Sequence, residues 1–352
     1  MSKVLRIKSR LRDYDVHFVP DCTLAIGNQK QTGAFLIVDK DLPGAGKYIK
    51  LFSLQRVISF KATESNKTLV HCSGIIRELV DKDIRRNNTI FALGGGVVED
   101  VAAFVSTVLF RGVEWVFCPT TLLAQADSCI GSKSSINFGS YKNLLGSFYP
   151  PRKVIIDVNF LKTLCPDEVR SGIGEILHFY FVAGQDKLAK RMMGGYSEFI
   201  KDPRALKPYI LASLKIKKDV IERDELDQAE RNLFNYGHTF GHAIESVSGY
   251  RINHGQAVSR GMDIANYLSW QRKYISEDNF KSMHEILKSN LPVYSIDHKN
   301  WPRFFQALSK DKKNIGGTLG CILTRGSGKM FKAQVPFDDR LRDGIISYFE
   351  AY

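Results

Sequence analysis

The sequence predicts an α/β fold in two parts, a parallel-sheet half built from βαβ units followed by a mainly helical half. Three observations predict it. Short continuous apolar runs, such as Ala34-Phe-Leu-Ile-Val, suit strands buried on both faces of a parallel sheet. The stretch Thr89-Ile-Phe-Ala-Leu-Gly94-Gly95-Gly96, with Val97-Val-Glu-Asp-Val-Ala-Ala behind it, reads as strand, glycine turn and helix. From about Phe160 the apolar residues recur at the helical period. A chain of 352 residues, 44% hydrophobic and 25% charged, has material for two domains, expected at 1–159 and 160–352.

In chain order, 13–19 reads as a strand entering from a turn, and 34–39 as a buried strand closed by Asp39. An acidic residue at the carboxyl end of such a strand suits a nucleotide ribose, and suits a helix cap equally well. A strand from Val57 leads through a polar turn to a helix over 68–80. The turn Gly94-Gly95-Gly96 lies between strand and helix, where backbone N–H groups and a helix N-terminus receive a pyrophosphate. It lacks the G-x-G-x-x-G spacing, so the turn alone is a weak signal. A strand at 116–118 is followed by a loop-like segment, 122–146, that gathers Asp127, Lys133, Lys142 and Asn143. Lysines among backbone amides suit a phosphate. A strand at 154–157 ends this half, with Pro150-Pro151 as a natural break before it. In the helical half, Glu175 and His178 fall three apart on one predicted helix face. A long basic helix is expected over 204–224, further helices over 256–275 and 278–289, a short strand at 320–323 and a closing helix over 339–350.

The densest chemistry lies at Arg231-Asn-Leu-Phe-Asn235-Tyr-Gly-His238-Thr-Phe-Gly-His242, with His254-Gly soon after. Three of the eight histidines fall here, and His238 and His242 are one helical turn apart. Imidazoles so spaced suit a metal, and suit a helix with two solvated or core histidines as well.

Composition excludes several classes. No apolar run approaches the length of a membrane span, and the N-terminus lacks a signal-peptide apolar region. Cysteines 22, 72, 118, 129, 165 and 321 form no C-x-x-C pair, which reads as reduced thiols in a cytoplasmic protein. The net charge of +13 is spread along the chain with no basic tract longer than a pair. It suits an anionic, phosphate-bearing substrate, and nothing beyond net charge supports nucleic acid.

Taken together, these motifs resemble the dehydroquinate synthase family of sugar phosphate cyclases. The resemblance runs from Asp39 to Lys313 through Gly94-Gly-Gly-Val-Val-Glu-Asp100, Phe110-Arg111-Gly, Pro119-Thr-Thr-Leu-Leu-Ala-Gln-Ala-Asp127-Ser, Lys142-Asn143, Glu175, Asn235 to His242, and His254-Gly. It implies an N-terminal Rossmann-like NAD-binding domain and a mainly α-helical C-terminal metal and substrate domain. It implies zinc (or cobalt) held by Glu175, His238 and His254, with His242 beside the substrate phosphate assisting proton transfer instead of ligating. NAD is implied to sit at Asp39, Glu64, Lys67, Gly95, Gly96, Asp100, Thr120, Thr121, Lys142, Phe160 and Thr163. Asp127, Lys133, Asn143, His178, Lys217, Arg231, Asn235 and Lys312 are implied to face the substrate. Arg111 is implied to reach a neighbouring subunit, hence a homodimer. The implied reaction oxidises a secondary alcohol with NAD, eliminates phosphate, returns the hydride, and closes a carbocycle by an aldol step.

The chain departs from the family pattern at three positions. His178 stands where a lysine is usual, Asp227 where a glutamate is usual, and Glu99 where a small residue is usual. Arg231, the family's contact for a substrate carboxylate, is kept. The expected substrate is therefore 3-deoxy-arabino-heptulosonate 7-phosphate. The alternatives are a cyclase of another sugar phosphate such as sedoheptulose 7-phosphate, a metal-dependent polyol or glycerol-phosphate dehydrogenase, a non-catalytic basic protein, and an inactive cyclase.

Overall fold

The structure, a computed structural model, describes residues 3–29, 33–139, 141–310 and 314–352. The chain forms two compact units, one of Met1–Leu164 with Lys217–Leu226 and one of Cys165–Ile216 with Asp227–Tyr352.

Unit 1 begins with an antiparallel pair, β1 (Lys3–Ile7) and β2 (Tyr14–Phe18), in which Lys3 faces Phe18. Then come α1 (Cys22–Gln29), β3 (Phe35–Asp39), α2 (Gly46–Ile49), β4 (Val57–Phe60), α3 (Leu69–Asp81), β5 (Thr89–Gly94), α4 (Gly96–Val108) and β6 (Glu114–Pro119). A hairpin of β7 (Lys133–Phe138) and β8 (Tyr141–Phe148) precedes β9 (Lys153–Ile156). The seven-stranded sheet runs β1-β2-β9-β6-β5-β3-β4, parallel except for the first pair. Strand β5 is buried along its whole length, as its unbroken apolar run requires. Leu36, Val38, Phe91, Leu93, Val116 and Cys118 form the core beneath β3, β5 and β6. Helix α3 starts where Thr68 accepts the His71 N–H at 3.3 Å.

Strand order positions the ligand end. From β3 the chain passes outward to β4, whereas β5 lies on the opposite side of β3 and leads on to β6 and β9. The direction of winding therefore switches between β3 and β5, and the carboxyl ends at such a switch form a crevice for ligands. Those ends carry Asp39 and Gly94-Gly95-Gly96.

The segment expected as a loop over 122–146 is ordered differently. Ala124–Ser128 forms one π-helical turn, and 133–148 is the β7–β8 hairpin, with a register shift between Ile136 and Phe138. The sequence hides the strand because β8 is exposed or only half-buried throughout, so no alternation of apolar residues marks it.

Unit 2 contains α5 (Pro166–Val182), α6 (Asp186–Gly194), α7 (Tyr196–Lys201), α8 (Lys207–Ile221), α9 (His238–Val247), α10 (His254–Gln271), α11 (Glu277–Leu287), α12 (Trp301–Ser309), a hairpin of β10 (Thr318–Thr324) and β11 (Met330–Pro336), and α13 (Asp339–Ala351). The last residues of α8, from Lys217, belong to unit 1. Helix α10 is central. Ala257 to Ser269 are all buried, and the helix packs on α5, α9, α11, α13 and β10. Each large apolar side chain it buries, Val258, Met262, Ile264 and Leu268 among them, contributes about 1.5–3 kcal/mol. Strand β11 carries little sequence signal, because its exposed positions alternate with a weakly buried set. Among the described residues, no helix is long and apolar enough to cross a membrane.

Candidate functional site

In unit 2, glycines bring three helices into backbone contact. A Cβ on Gly255 of α10 would lie 1.8 Å from the Ser171 carbonyl oxygen of α5, and one on Gly174 would lie 2.0 Å from the Gly255 oxygen. A Cβ on Gly261 would lie 2.0 Å from the Gly237 oxygen at the start of α9. Gly237 itself has φ +81°, a left-handed conformation suited to glycine, and turns the chain into α9. At this spacing a short carboxylate and two imidazoles from three helices can meet.

They do meet. Glu175 on α5 is 2% exposed, and its Oε1 lies 3.2 Å from His254 Nε2 and 3.8 Å from His238 Nε2. The donor atoms of Glu175, His238 and His254 all lie within 4.8 Å of one another. Each imidazole is oriented through its other nitrogen. His238 Nδ1 lies 3.2 Å from the Tyr236 carbonyl oxygen, and His254 Nδ1 lies 3.1 Å from Glu245 Oε2. Glu175 Oε1 is buried without a well-aligned hydrogen-bond donor. A carboxylate oxygen facing two Nε2 atoms fits a divalent cation with a position left open for a substrate oxygen.

The electrostatics of the two imidazoles differ. Burial pushes His238 well below the usual imidazole range, helped by the neighbouring His178, His254 and His242. Burial lowers His254 too, but the nearby carboxylates of Glu175 and Glu245 outweigh that and hold it well above. His242 is exposed, its ring stacked 5.6 Å from that of His254, so α9 does not turn both of its histidines toward Glu175. A second donor set, His242, Glu245 and His254, shares His254 with the first.

His178, on α5, is 1% exposed, with Nδ1 3.9 Å from Glu175 Oε2 and its ring 5.0 Å from that of His238. Phe234 packs edge-on against it. Arg231 is buried and Asn235 half-buried on the turn Glu230–Asn235, where Asn235 Nδ2 donates to the Asn232 carbonyl at 3.0 Å. Asp227 has φ +61°.

In unit 1, Asp39 closes β3 and accepts the Ala62 and Asp41 N–H groups, each at 3.2 Å. Thr120 N–H donates to the Gly94 oxygen at 2.9 Å, and the Thr121 methyl fills the space over Gly95, 2.9 Å from where a Cβ would be. Lys67 is buried and bonds Asp100 Oδ2 at 2.9 Å and Asn143 Oδ1 at 2.7 Å, with Glu64 Oε1 at 3.5 Å. Asp100 also accepts the Ser135 N–H at 2.7 Å, tying α4 to β7. Asn143, at φ +52°, donates its N–H to Asn137 Oδ1 at 2.8 Å. Lys217 Nζ bonds both the Asp127 carbonyl oxygen and its Oδ1 at 2.8 Å. Phe160 is buried against Tyr48, and Thr163 donates to the Phe160 oxygen at 2.9 Å. Lys133 and Lys142 are exposed at the ends of the hairpin. Arg111 is exposed on the turn Leu109–Arg111, where Phe110 and Arg111 have φ of +50° and +61°. Lys312 lies outside the described residues.

Known proteins then decide the family. A model described as 3-dehydroquinate synthase N-terminal matches residues 57–171, and one described as 3-dehydroquinate synthase C-terminal matches residues 172–314. A 3-dehydroquinate synthase of Dictyoglomus thermophilum is 38% identical over 282 residues, 79% of this chain and 78% of its own. That of Dictyoglomus turgidum is 36% identical over 305 residues, 86% of this chain and 85% of its own. The chain belongs to the 3-dehydroquinate synthase family. It is an enzyme, of the carbon–oxygen lyase class. The fold is shared with a 2-deoxy-scyllo-inosose synthase solved with carbaglucose-6-phosphate, NAD+ and Co2+, at TM-score 0.85 and 24% identity over 98% of this chain and 99% of that one.

Within the 3-dehydroquinate synthase family pattern, Glu99 is the departure that unit 1 makes most visible. It is buried in the first turn of α4 and accepts a hydrogen bond from the Ser128 hydroxyl. Burial pushes its carboxyl up to about 8, against the pull of the Ser128 bond. Sequence reasoning missed Ser135, Asn137 and Glu245. Glu245 stands three residues after His242, a helical spacing that was available as a signal.

Proposed function

We propose that this enzyme cyclises 3-deoxy-arabino-heptulosonate 7-phosphate with loss of inorganic phosphate, the 3-dehydroquinate synthase reaction, with NAD and one zinc or cobalt ion as resident cofactors. The observation that carries the reading is the convergence of Glu175 Oε1 on the Nε2 atoms of His238 and His254. When bound, NAD takes up and returns a hydride, and the metal polarises the substrate's alcohol and carbonyl.

The chain's own residues supply binding and proton handling. Asp39 receives the adenosine ribose, with Glu64 and Lys67 beside it, and the backbone at Gly95 and Gly96 receives the pyrophosphate. Asp100, Thr120, Thr121, Lys142, Phe160 and Thr163 complete the cofactor site. Lys133, Lys217 and Lys312 neutralise the substrate's negative charge, and Asn143, Asn235 and Asp127 orient its hydroxyls. Arg231 pairs with the carboxylate, which its fixed fork of donors matches. His242 lies on the exposed side of the histidine group, where a proton can pass to and from the departing phosphate. The chain acts as a homodimer in which Arg111 serves the neighbouring phosphate site. The exposed Phe110 beside Arg111 supports this, since an apolar ring on such a turn gains from being covered. The six free thiols suit a reducing compartment, the cytoplasm.

A second reading, a cyclase of a sugar phosphate without a carboxylate, is favoured by His178. Its imidazole is 1% exposed and packed between Phe234 and His238, where the family pattern places a longer ammonium. Phosphate release with catalytic NAD and added cobalt, from the carboxylated heptulosonate phosphate and sedoheptulose 7-phosphate in parallel, separates the two. Release from the first alone, without NADH accumulating, is expected. Release from the second alone transfers the assignment, and release from neither removes both.

A further inference from the structure

The two histidines facing Glu175 are held from behind by different acceptors. Behind His238 stands a neutral backbone carbonyl, Tyr236 O at 3.2 Å. Behind His254 stands a carboxylate, Glu245 Oε2 at 3.1 Å, with a side chain 15% exposed. His254 is the first residue of α10, and its backbone is placed by the Gly255 N–H to Ser171 Oγ bond at 3.0 Å. That bond fixes the Cα but leaves the imidazole two torsions. Glu245, projecting from α9, removes that freedom. With Nδ1 committed to Glu245, Nε2 is the nitrogen left to face a cation, and it points at Glu175 Oε1, 3.2 Å away. A carboxylate acceptor also increases electron density on the ring, making Nε2 a stronger donor than one backed by a carbonyl.

We infer that Glu245 is a positioning residue: through Nδ1 of His254 it fixes the ring with Nε2 toward Glu175, and it thereby sets the affinity of the Glu175–His238–His254 group for a divalent cation. The inference rests on the proposed metal reading of that group. In this role Glu245 acts through His254 and is not itself a ligand of the cation. Removing it leaves His254 free to rotate and lowers its donor strength, which at comparable histidine sites weakens metal binding about 10–100-fold. Glutamine keeps an acceptor oxygen in reach but no charge, so it restores the orientation and only part of the donor strength.

The test is Co2+ titration of the full-length protein followed by the visible d–d band, with wild type, Glu175→Ala, Glu245→Ala and Glu245→Gln. The expected result is one ion per chain for wild type and loss of that binding in Glu175→Ala. Glu245→Ala should show about 10–100-fold weaker binding with a broadened band. Glu245→Gln should recover most of the affinity and the wild-type band shape. Melting curves of the metal-free variants should match wild type, which separates positioning from a folding defect. If Glu175→Ala binds Co2+ as wild type does, the metal reading of the group itself fails. If Glu175→Ala loses the ion but both Glu245 variants bind as wild type does, the metal reading stands and the role of Glu245 is overturned. If Glu245→Gln alters the band as much as Glu245→Ala, or wild type takes two ions per chain, Glu245 is a ligand together with His242 and the positioning role is again overturned.

Discussion

At the scale of single residues, the group whose state is least ordinary is Glu99. Its carboxyl is buried among Ser128, Asp100, Asp127 and Lys217, and burial raises it to about 8. An unfolded glutamate titrates near about 4.3. Between those two values the native chain holds a proton that the unfolded chain has released. Stability must then fall as pH rises through this window and level off above it, because the native state binds the extra proton. Glutamine at this position is neutral at every pH and still accepts the Ser128 hydroxyl. Glu99→Gln should therefore match wild type near pH 5 and exceed it near pH 9, by an amount on the order of a few kcal/mol. Denaturant unfolding of both proteins at the two pH values measures this, and parallel pH profiles would show that Glu99 is ionised in the native chain. The residue was visible in the sequence only as an oddity after the glycine turn. Its burial could not be read there, since it follows from the π-helical turn that brings Ser128 over α4.

At the scale of elements, the metal group depends on α5, α9 and α10 touching through glycine. Gly255→Ala puts a Cβ 1.8 Å from the Ser171 oxygen, a backbone atom that cannot swing aside. Helix α10 must move away from α5, at a cost of about 1–3 kcal/mol or more, and His254 moves with it. The variant should melt lower and bind Co2+ more weakly. Gly74→Ala is the control, in the exposed face of α3 with nothing within 4 Å of the new Cβ. It should stabilise by about 0.5–1 kcal/mol. If Gly255→Ala melts as wild type does, the close approach is not what holds the helices. The same elements show which signals a sequence carries. Buried strands such as β5 and the helical spacing of His238 and His242 are visible because apolar runs and turns of helix repeat along the chain. The β7–β8 hairpin is not, because β8 has no buried face to set an alternation of apolar residues and β7 is held by Lys67 and Asp100, which lie tens of residues away in the chain. Nor is the membership of Lys217 in unit 1, since α8 runs through that point without a break in pattern.

At the scale of the whole molecule, the two units carry different chemistry. The carboxyl ends of β3 and β5, with Asp39 and the Gly94-Gly95-Gly96 turn, lie in unit 1. Glu175, His238 and His254 lie in unit 2. A proposed function that needs both NAD and a metal then predicts that the two binding steps can be damaged separately. Asp39→Ala removes a charged acceptor for the ribose hydroxyls, a hydrogen bond worth about 1.5–3 kcal/mol, so NAD should bind about 10–100-fold more weakly. Its Co2+ affinity should be unchanged. Glu175→Gln should lose the cation and keep its NAD affinity, because no residue proposed for NAD lies in unit 2. Calorimetric titration of each variant with each ligand reads all four values; Glu175→Gln should release no phosphate from substrate, and Asp39→Ala should release it more slowly at limiting NAD. Loss of NAD binding in Glu175→Gln would overturn the prediction and show that the two binding steps are coupled.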